Sequence, residues 1–106
     1  MIDYLGKYGY APDSEAMGRS LEMVAANLDS IASEQVYKEC FSMMDLTTLK
    51  TNDTPASVTK LVNKVNDFQQ SRQGWPLPAS ICVYPNFASV VKEARKSDFN
   101  ITVVAA

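Results

Sequence analysis

The sequence predicts an α/β fold built around a parallel sheet, and three observations carry that prediction. Three short β-compatible segments, MMDLTTL, ASICVY and ITVV, are separated by two helix-patterned ones. The second and third of these segments are almost wholly apolar, as strands covered on both faces are. Strands alternating with helices in this rhythm imply parallel pairing with right-handed crossovers. A chain of 106 residues, 46% hydrophobic and 21% charged, holds one domain and has enough apolar content to fold.

The elements follow in order. Pro12 precedes residues 13–32, where Met17, Leu21, Val24, Leu28 and Ile31 recur at alternating spacings of four and three. That is the stripe of an amphipathic helix, with Asp13 or Ser14 as its cap. Ser33 restarts a shorter helical pattern through Val36, Tyr37, Cys40 and Phe41. These two helices form an N-terminal extension, residues 1–41. The run MMDLTTL, residues 43–49, ends in the polar stretch KTNDTP and reads as the first strand. Thr54 caps the next helix and Pro55 takes its first position, because a proline there gives up no intrahelical hydrogen bond. Val58, Leu61, Val62, Val65 and Phe68 form its buried stripe, which ends near Ser71. RQGWPLP is a loop, ASICVY the second strand, and Pro85 stops it. Asn86 is the expected cap of a last helix that turns Phe87, Val90, Val91 and Ala94 inward. The run ITVVAA, residues 101–106, reads as a third strand buried on both faces.

Composition excludes several functions. Ten Lys and Arg against 12 Asp and Glu, scattered without runs, leave no basic stripe for a nucleic-acid backbone. No apolar stretch approaches the roughly 20 residues that span a bilayer, and the N-terminus lacks the pattern of a signal peptide. The expectation is a soluble cytoplasmic protein. Cys40 and Cys82 lack metal or redox spacing and read as reduced thiols. The chain contains no histidine, so the commonest general base and metal ligand are both missing.

Strand alternation sorts the candidate site. Asp45, Thr47, Ser80, Cys82, Tyr84 and Thr102 fall on one side, opposite an apolar set that faces the helices. Asp45 is the most informative member, because a carboxylate on an otherwise apolar strand needs a partner or water. It serves either a site or the capping of a neighbouring loop. Lys50, at the mouth of the first strand, is placed where an imine-forming lysine would stand, but a polar loop offers nothing to depress its pKa, which disfavours that role. Tyr4, Tyr8 and Tyr10 read as a terminal segment packing over apolar surface. A doubly wound nucleotide-binding sheet is disfavoured, since TTLKTNDTP has no glycine to bring backbone amides to a phosphate.

MMDLTTL, a polar loop and helix, then ICVYP and ITVVA, resemble the N-terminal part of the deoxyribose-phosphate aldolase family. The resemblance covers residues 37–106. It implies a TIM (β/α)8 barrel of which residues 42–106 are the first three strands and their two connecting helices. It also implies class I chemistry: a Schiff-base lyase, without metal or other cofactor, splitting 2-deoxy-D-ribose 5-phosphate into acetaldehyde and D-glyceraldehyde 3-phosphate. Asp45 matches the family's DLT motif and Cys82 its CVYP motif, both near the substrate end of the barrel. Thr47 and Leu49 match neighbours lining that end. The family's imine-forming lysine and proton-shuttling aspartate, on its sixth and fourth strands, have no counterpart, nor do its phosphate loops or the Gly-Phe-Pro turn after the third strand. The expectation is a truncated barrel, inactive alone, that binds a phosphorylated sugar only as part of a longer chain. Its open strand edges are expected to pair with the remaining barrel half or with another copy. The alternative is a non-catalytic half-barrel that serves as an interaction module.

Overall fold

A computed structural model describes residues 3–105, so Met1, Ile2 and Ala106, the ends of two of the segments read above, lie outside the described residues. The chain divides into two compact units, Met1–Ser33 and Glu34–Ala106.

The first unit is helical. A single turn, α1 (Tyr4–Lys7), is capped by Asp3, whose carboxylate accepts from the Gly6 amide at 2.9 Å. The sequence pattern had not marked it. Helix α2 (Ser14–Ile31) begins at Asp13, one of the two expected caps, which accepts from the Ala16 amide at 2.9 Å. None of its residues is buried. The predicted stripe is present in register, and its residues are exposed.

The second unit opens with α3 (Glu34–Ser42), followed by β1 (Asp45–Thr47), α4 (Pro55–Ser71), β2 (Ser80–Val83), a 3₁₀ turn (Pro85–Phe87), α5 (Ala88–Ala94) and β3 (Asn100–Val103). The strands form one parallel sheet in the order β1-β2-β3. This is the α/β arrangement the rhythm of the sequence predicts. Strand β1 is shorter than MMDLTTL, because Met43 and Met44 complete the turn that ends α3: their amides bond back to the carbonyls of Cys40 and Phe41.

Helix α4 starts where Thr54 and Pro55 predict. Thr54 Oγ1 accepts from the Ser57 amide at 3.1 Å, and the Ser57 hydroxyl oxygen accepts from the Thr54 amide at 2.9 Å, a reciprocal capping box. Val58, Val62 and Val65 of α4, Ile81 and Val83 of β2, and Phe87, Val91 and Phe99 form one buried cluster. Removing such a side chain from water is worth about 1.5–3 kcal/mol. Asn66 is buried in α4 and ties it to the far end of α5. Its amide donates to the Ala94 carbonyl at 3.0 Å and its oxygen accepts from the Lys96 amide at 3.0 Å. An aromatic cluster links α3 to α4, with Phe41 and Phe68 centroids 4.8 Å apart and Phe68 edge-on to Trp75 at 5.5 Å.

Two expectations are corrected. Asn86 caps nothing: the chain enters α5 through the 3₁₀ turn, Phe87 stands at the cap position, and no side-chain cap bond forms. Strand β3 is not buried on both faces. Its pattern is half-exposed to exposed and Val103 is 45% exposed, because among the described residues β3 is an edge strand and only β2 has a neighbour on each side.

Candidate functional site

The parallel register assembles the polar face row by row. Asp45 stands beside Ser80 and Ser80 beside Asn100; two residues along, Thr47 stands beside Cys82 and Cys82 beside Thr102. Alternation therefore places Asp45, Thr47, Ser80, Cys82, Asn100 and Thr102 together on the sheet face opposite Leu46, Ile81 and Ile101. Leu46 and Ile101 pack against the core cluster to which Ile81 belongs.

The hydroxyls on this face have a defined direction. Ser80 Oγ donates to Asp45 Oδ1. A hydroxyl carries a single proton, so the 2.8 Å contact between Ser80 Oγ and Thr102 Oγ1 is one in which Thr102 donates and Ser80 accepts. One chain of hydrogen bonds thus runs Thr102 to Ser80 to Asp45 across all three strands and ends on a carboxylate. Ser80 is 5% exposed, whereas Asp45 reaches water, so the charge is solvated while its donor is not. Thr47 Oγ1 turns back to the Asp45 carbonyl at 3.2 Å.

Cys82 is buried in the central strand between Thr47 and Thr102. Leu49 lies beyond β1 in the following loop, half-buried, and its carbonyl accepts from the Tyr84 hydroxyl at 3.2 Å. Alternation had placed Tyr84 with the polar set, which the structure corrects. Tyr84 follows the end of β2 and packs against the apolar cluster, and its hydroxyl reaches the loop after β1.

That loop is organised by Asp53, a residue the sequence pattern did not single out. Its Oδ2 accepts from Thr48 Oγ1 at 2.8 Å and from the Lys50 amide at 2.9 Å, while Oδ1 accepts from Ser57 Oγ at 3.1 Å. The Thr48 hydroxyl bond is the main reason the Asp53 carboxyl stays ionised below its ordinary range; desolvation works against it, and the Lys50 amide, Ser57 and the Lys50 charge add to the lowering. A cleft of about 320 Å³ opens here, lined by Thr47, Thr48, Lys50, Asp53, Ser57 and Lys60 among others. Thr48 Oγ1, the Lys50 amide and Ser57 Oγ are committed to a carboxylate of the chain itself, so Asp53 anchors the loop, while Lys50, Lys60 and Lys64 also line the cleft. Lys50 contributes its backbone amide to that anchor and remains exposed, as its loop position implied.

The structure therefore brings Asp45, Thr47 and Cys82 onto one face and joins Leu49 to the same end of the sheet through Tyr84. Among the described residues no lysine lies on a strand. Among the described residues no group of three or more His, Cys, Asp or Glu side chains is gathered to hold a metal ion, and no helix is long and apolar enough to cross a membrane. No protein-family model matches the chain, and no solved structure matches it.

Proposed function

We propose that this chain forms the first three strands of a deoxyribose-phosphate aldolase barrel and has no lyase activity by itself. The observation that supports the reading is the juxtaposition of the two motifs on which the resemblance rests. The DLT residues Asp45 and Thr47 and the CVYP residue Cys82 share one sheet face, in parallel register, while the helices cover the other. In a closed barrel that polar face would look into the lumen, where Asp45 could orient a substrate hydroxyl, with Thr47, Leu49 and Cys82 lining the same end.

Imine formation requires a lysine whose pKa is depressed by an apolar wall or a neighbouring cation. The seven lysines of this chain sit in helices or loops: Lys7 in α1, Lys38 in α3, Lys60 and Lys64 in α4, Lys92 in α5, and Lys50 and Lys96 in loops. None reaches the polar face from a strand. Borohydride reduction in the presence of 2-deoxyribose 5-phosphate, followed by intact mass measurement, is expected to leave the chain unmodified. An adduct on any of its lysines overturns the claim of inactivity. Adding a polypeptide that carries the remaining strands of the family barrel is expected to restore cleavage, with the trapped imine on the added polypeptide.

A second reading is favoured by the open sheet. Strands β1 and β3 each have one unpaired edge among the described residues, and Met43 is 70% exposed beside β1. Edges of this kind recruit other strands. In this reading the chain is a non-catalytic half-barrel that assembles, through its edges, with another copy or a partner. Binding of the added polypeptide with no recovery of cleavage supports it over the first.

A further inference from the structure

From the lysine-lined cleft between the loop after β1 and α4 we infer that this chain holds an anion site of its own, and that the ligand it takes is a small phosphate monoester. Lys50 and Asp53 reach the cleft from the loop, and Lys60, Leu61 and Lys64 from α4. Every residue of its wall belongs to the same compact unit.

The charges in the cleft do not balance. Lys50 is answered by Asp53, whose ionised form its charge helps to hold. Lys60 and Lys64 are not answered. They stand four residues apart in one helix, a spacing at which like charges repel and weaken the helix. Neither makes an ion pair among the described residues, whereas Arg19 pairs with Glu15 and Lys38 with Glu34 at that same spacing. The neighbours of Lys60 at three and four residues are Ala56, Ser57 and Asn63, besides Lys64 itself, so its own helix offers it no carboxylate. Asp67, three residues after Lys64, forms no ion pair with it. An anion seated between the two lysines relieves a repulsion that the chain leaves standing.

The groups left over select the kind of anion. Thr48 Oγ1, the Lys50 amide and Ser57 Oγ already donate to Asp53, and Thr47 Oγ1 donates to the Asp45 carbonyl. What remains for a ligand is ammonium charge on flexible stems. Among the described residues no arginine lines the cleft, so the planar fork that grips a carboxylate with two parallel bonds is missing. Three converging point charges suit a tetrahedral group that turns three oxygens outward. Set against Asp53 they leave two positive charges, which a phosphate monoester matches above its second ionisation at about pH 6. A volume of about 320 Å³ lies at the small end of the roughly 300–1,000 Å³ of small-molecule sites, so the esterified group is small, with Leu61 as its apolar contact. The site uses no strand beyond β1 and does not rest on the aldolase reading.

The test is a titration of the isotope-labelled full chain, followed by amide chemical shifts, with sodium chloride holding the ionic strength constant. Inorganic phosphate probes the dianion alone and glycerol phosphate the monoester. Both are expected to give saturable shifts confined to residues 47–64. Lys60→Gln with Lys64→Gln removes two exposed side chains that make no hydrogen bond in the chain and puts good helix formers in their place, so circular dichroism should be unchanged. Binding should weaken at least tenfold. Lys92→Gln with Lys96→Gln removes the same charge outside the cleft and should leave binding within twofold. Equal weakening by the two pairs would mean general attraction to positive surface and overturns the inference, as do shifts that stay linear into the tens of millimolar. Saturation by inorganic phosphate without saturation by glycerol phosphate overturns the monoester assignment. No cleavage is read in any arm, so neither result bears on whether the chain belongs to an aldolase barrel.

Discussion

At the scale of single residues, Asp45 and Asp53 show what a sequence can and cannot disclose. Asp45 was legible, because strand period alone assigns its face and an apolar neighbourhood makes a carboxylate conspicuous. Asp53 was not. Its role exists only once Thr48, Lys50 and Ser57 converge on it from separate positions, and the string KTNDTP does not announce that convergence. The consequence is a pH dependence with a definite sign. The folded Asp53 carboxyl titrates below its unfolded value of about 3.9, so the unfolded chain binds that proton first as pH falls. Its contribution to stability is therefore complete above the unfolded pKa and is lost as pH drops through the folded one. Glu34 behaves in the same direction, chiefly through its hydrogen bond and charge interaction with Lys38 at 2.8 Å. Asp53→Asn is expected to be less stable than the parent near neutrality and to converge with it in acid. Urea denaturation repeated from neutral pH down through the carboxylate range measures this, and parallel stability curves for the two proteins would exclude the linkage.

At the scale of elements, signals confined to a few adjacent residues were legible and those set by packing were not. Thr54 followed by Pro55 marks a helix start with a local mechanism, and α4 begins there. Asn86 after Pro85 carries a similar signal, yet the chain takes a 3₁₀ turn in which the Phe87 amide bonds back to the Tyr84 carbonyl at 2.9 Å. Burial of Phe87 in the core fixes that turn, and burial is a property of the assembled unit. Likewise ITVV reads as a doubly covered strand because composition registers apolarity but not how many neighbours a strand has. The two cap positions give a paired test. Thr54→Ala removes the acceptor of the capping box and is expected to cost about 1 kcal/mol. Asn86→Ala removes no cap bond and is expected to fall within about 0.5 kcal/mol of the parent. Denaturant midpoints at constant m-value report both. Equal losses at the two sites would mean that Asn86 does cap in solution.

At the scale of the whole molecule, the order and direction of the strands were readable from rhythm, whereas the distribution of burial between the two units was not. The stripe of α2 is as regular as that of α4, but Val58, Val62 and Val65 of α4 are buried, while no residue of α2 is. Periodicity reports that a helix has an apolar face and is silent about what covers it. Stability should therefore be distributed unevenly. An isolated helix of about 18 residues is marginal in water, so α2 in a dilute solution opens at little cost. The amides of Ile81, Cys82 and Val83 lie in a fully buried central strand bonded on both sides, and should open only with the unit as a whole. A gap of about 4 kcal/mol between local and global opening corresponds to about 10³-fold in hydrogen-exchange protection. Amide exchange in dilute solution is expected to show at least that contrast between α2 and β2. Strong protection of α2, comparable to that of β2, would overturn the predicted gradient.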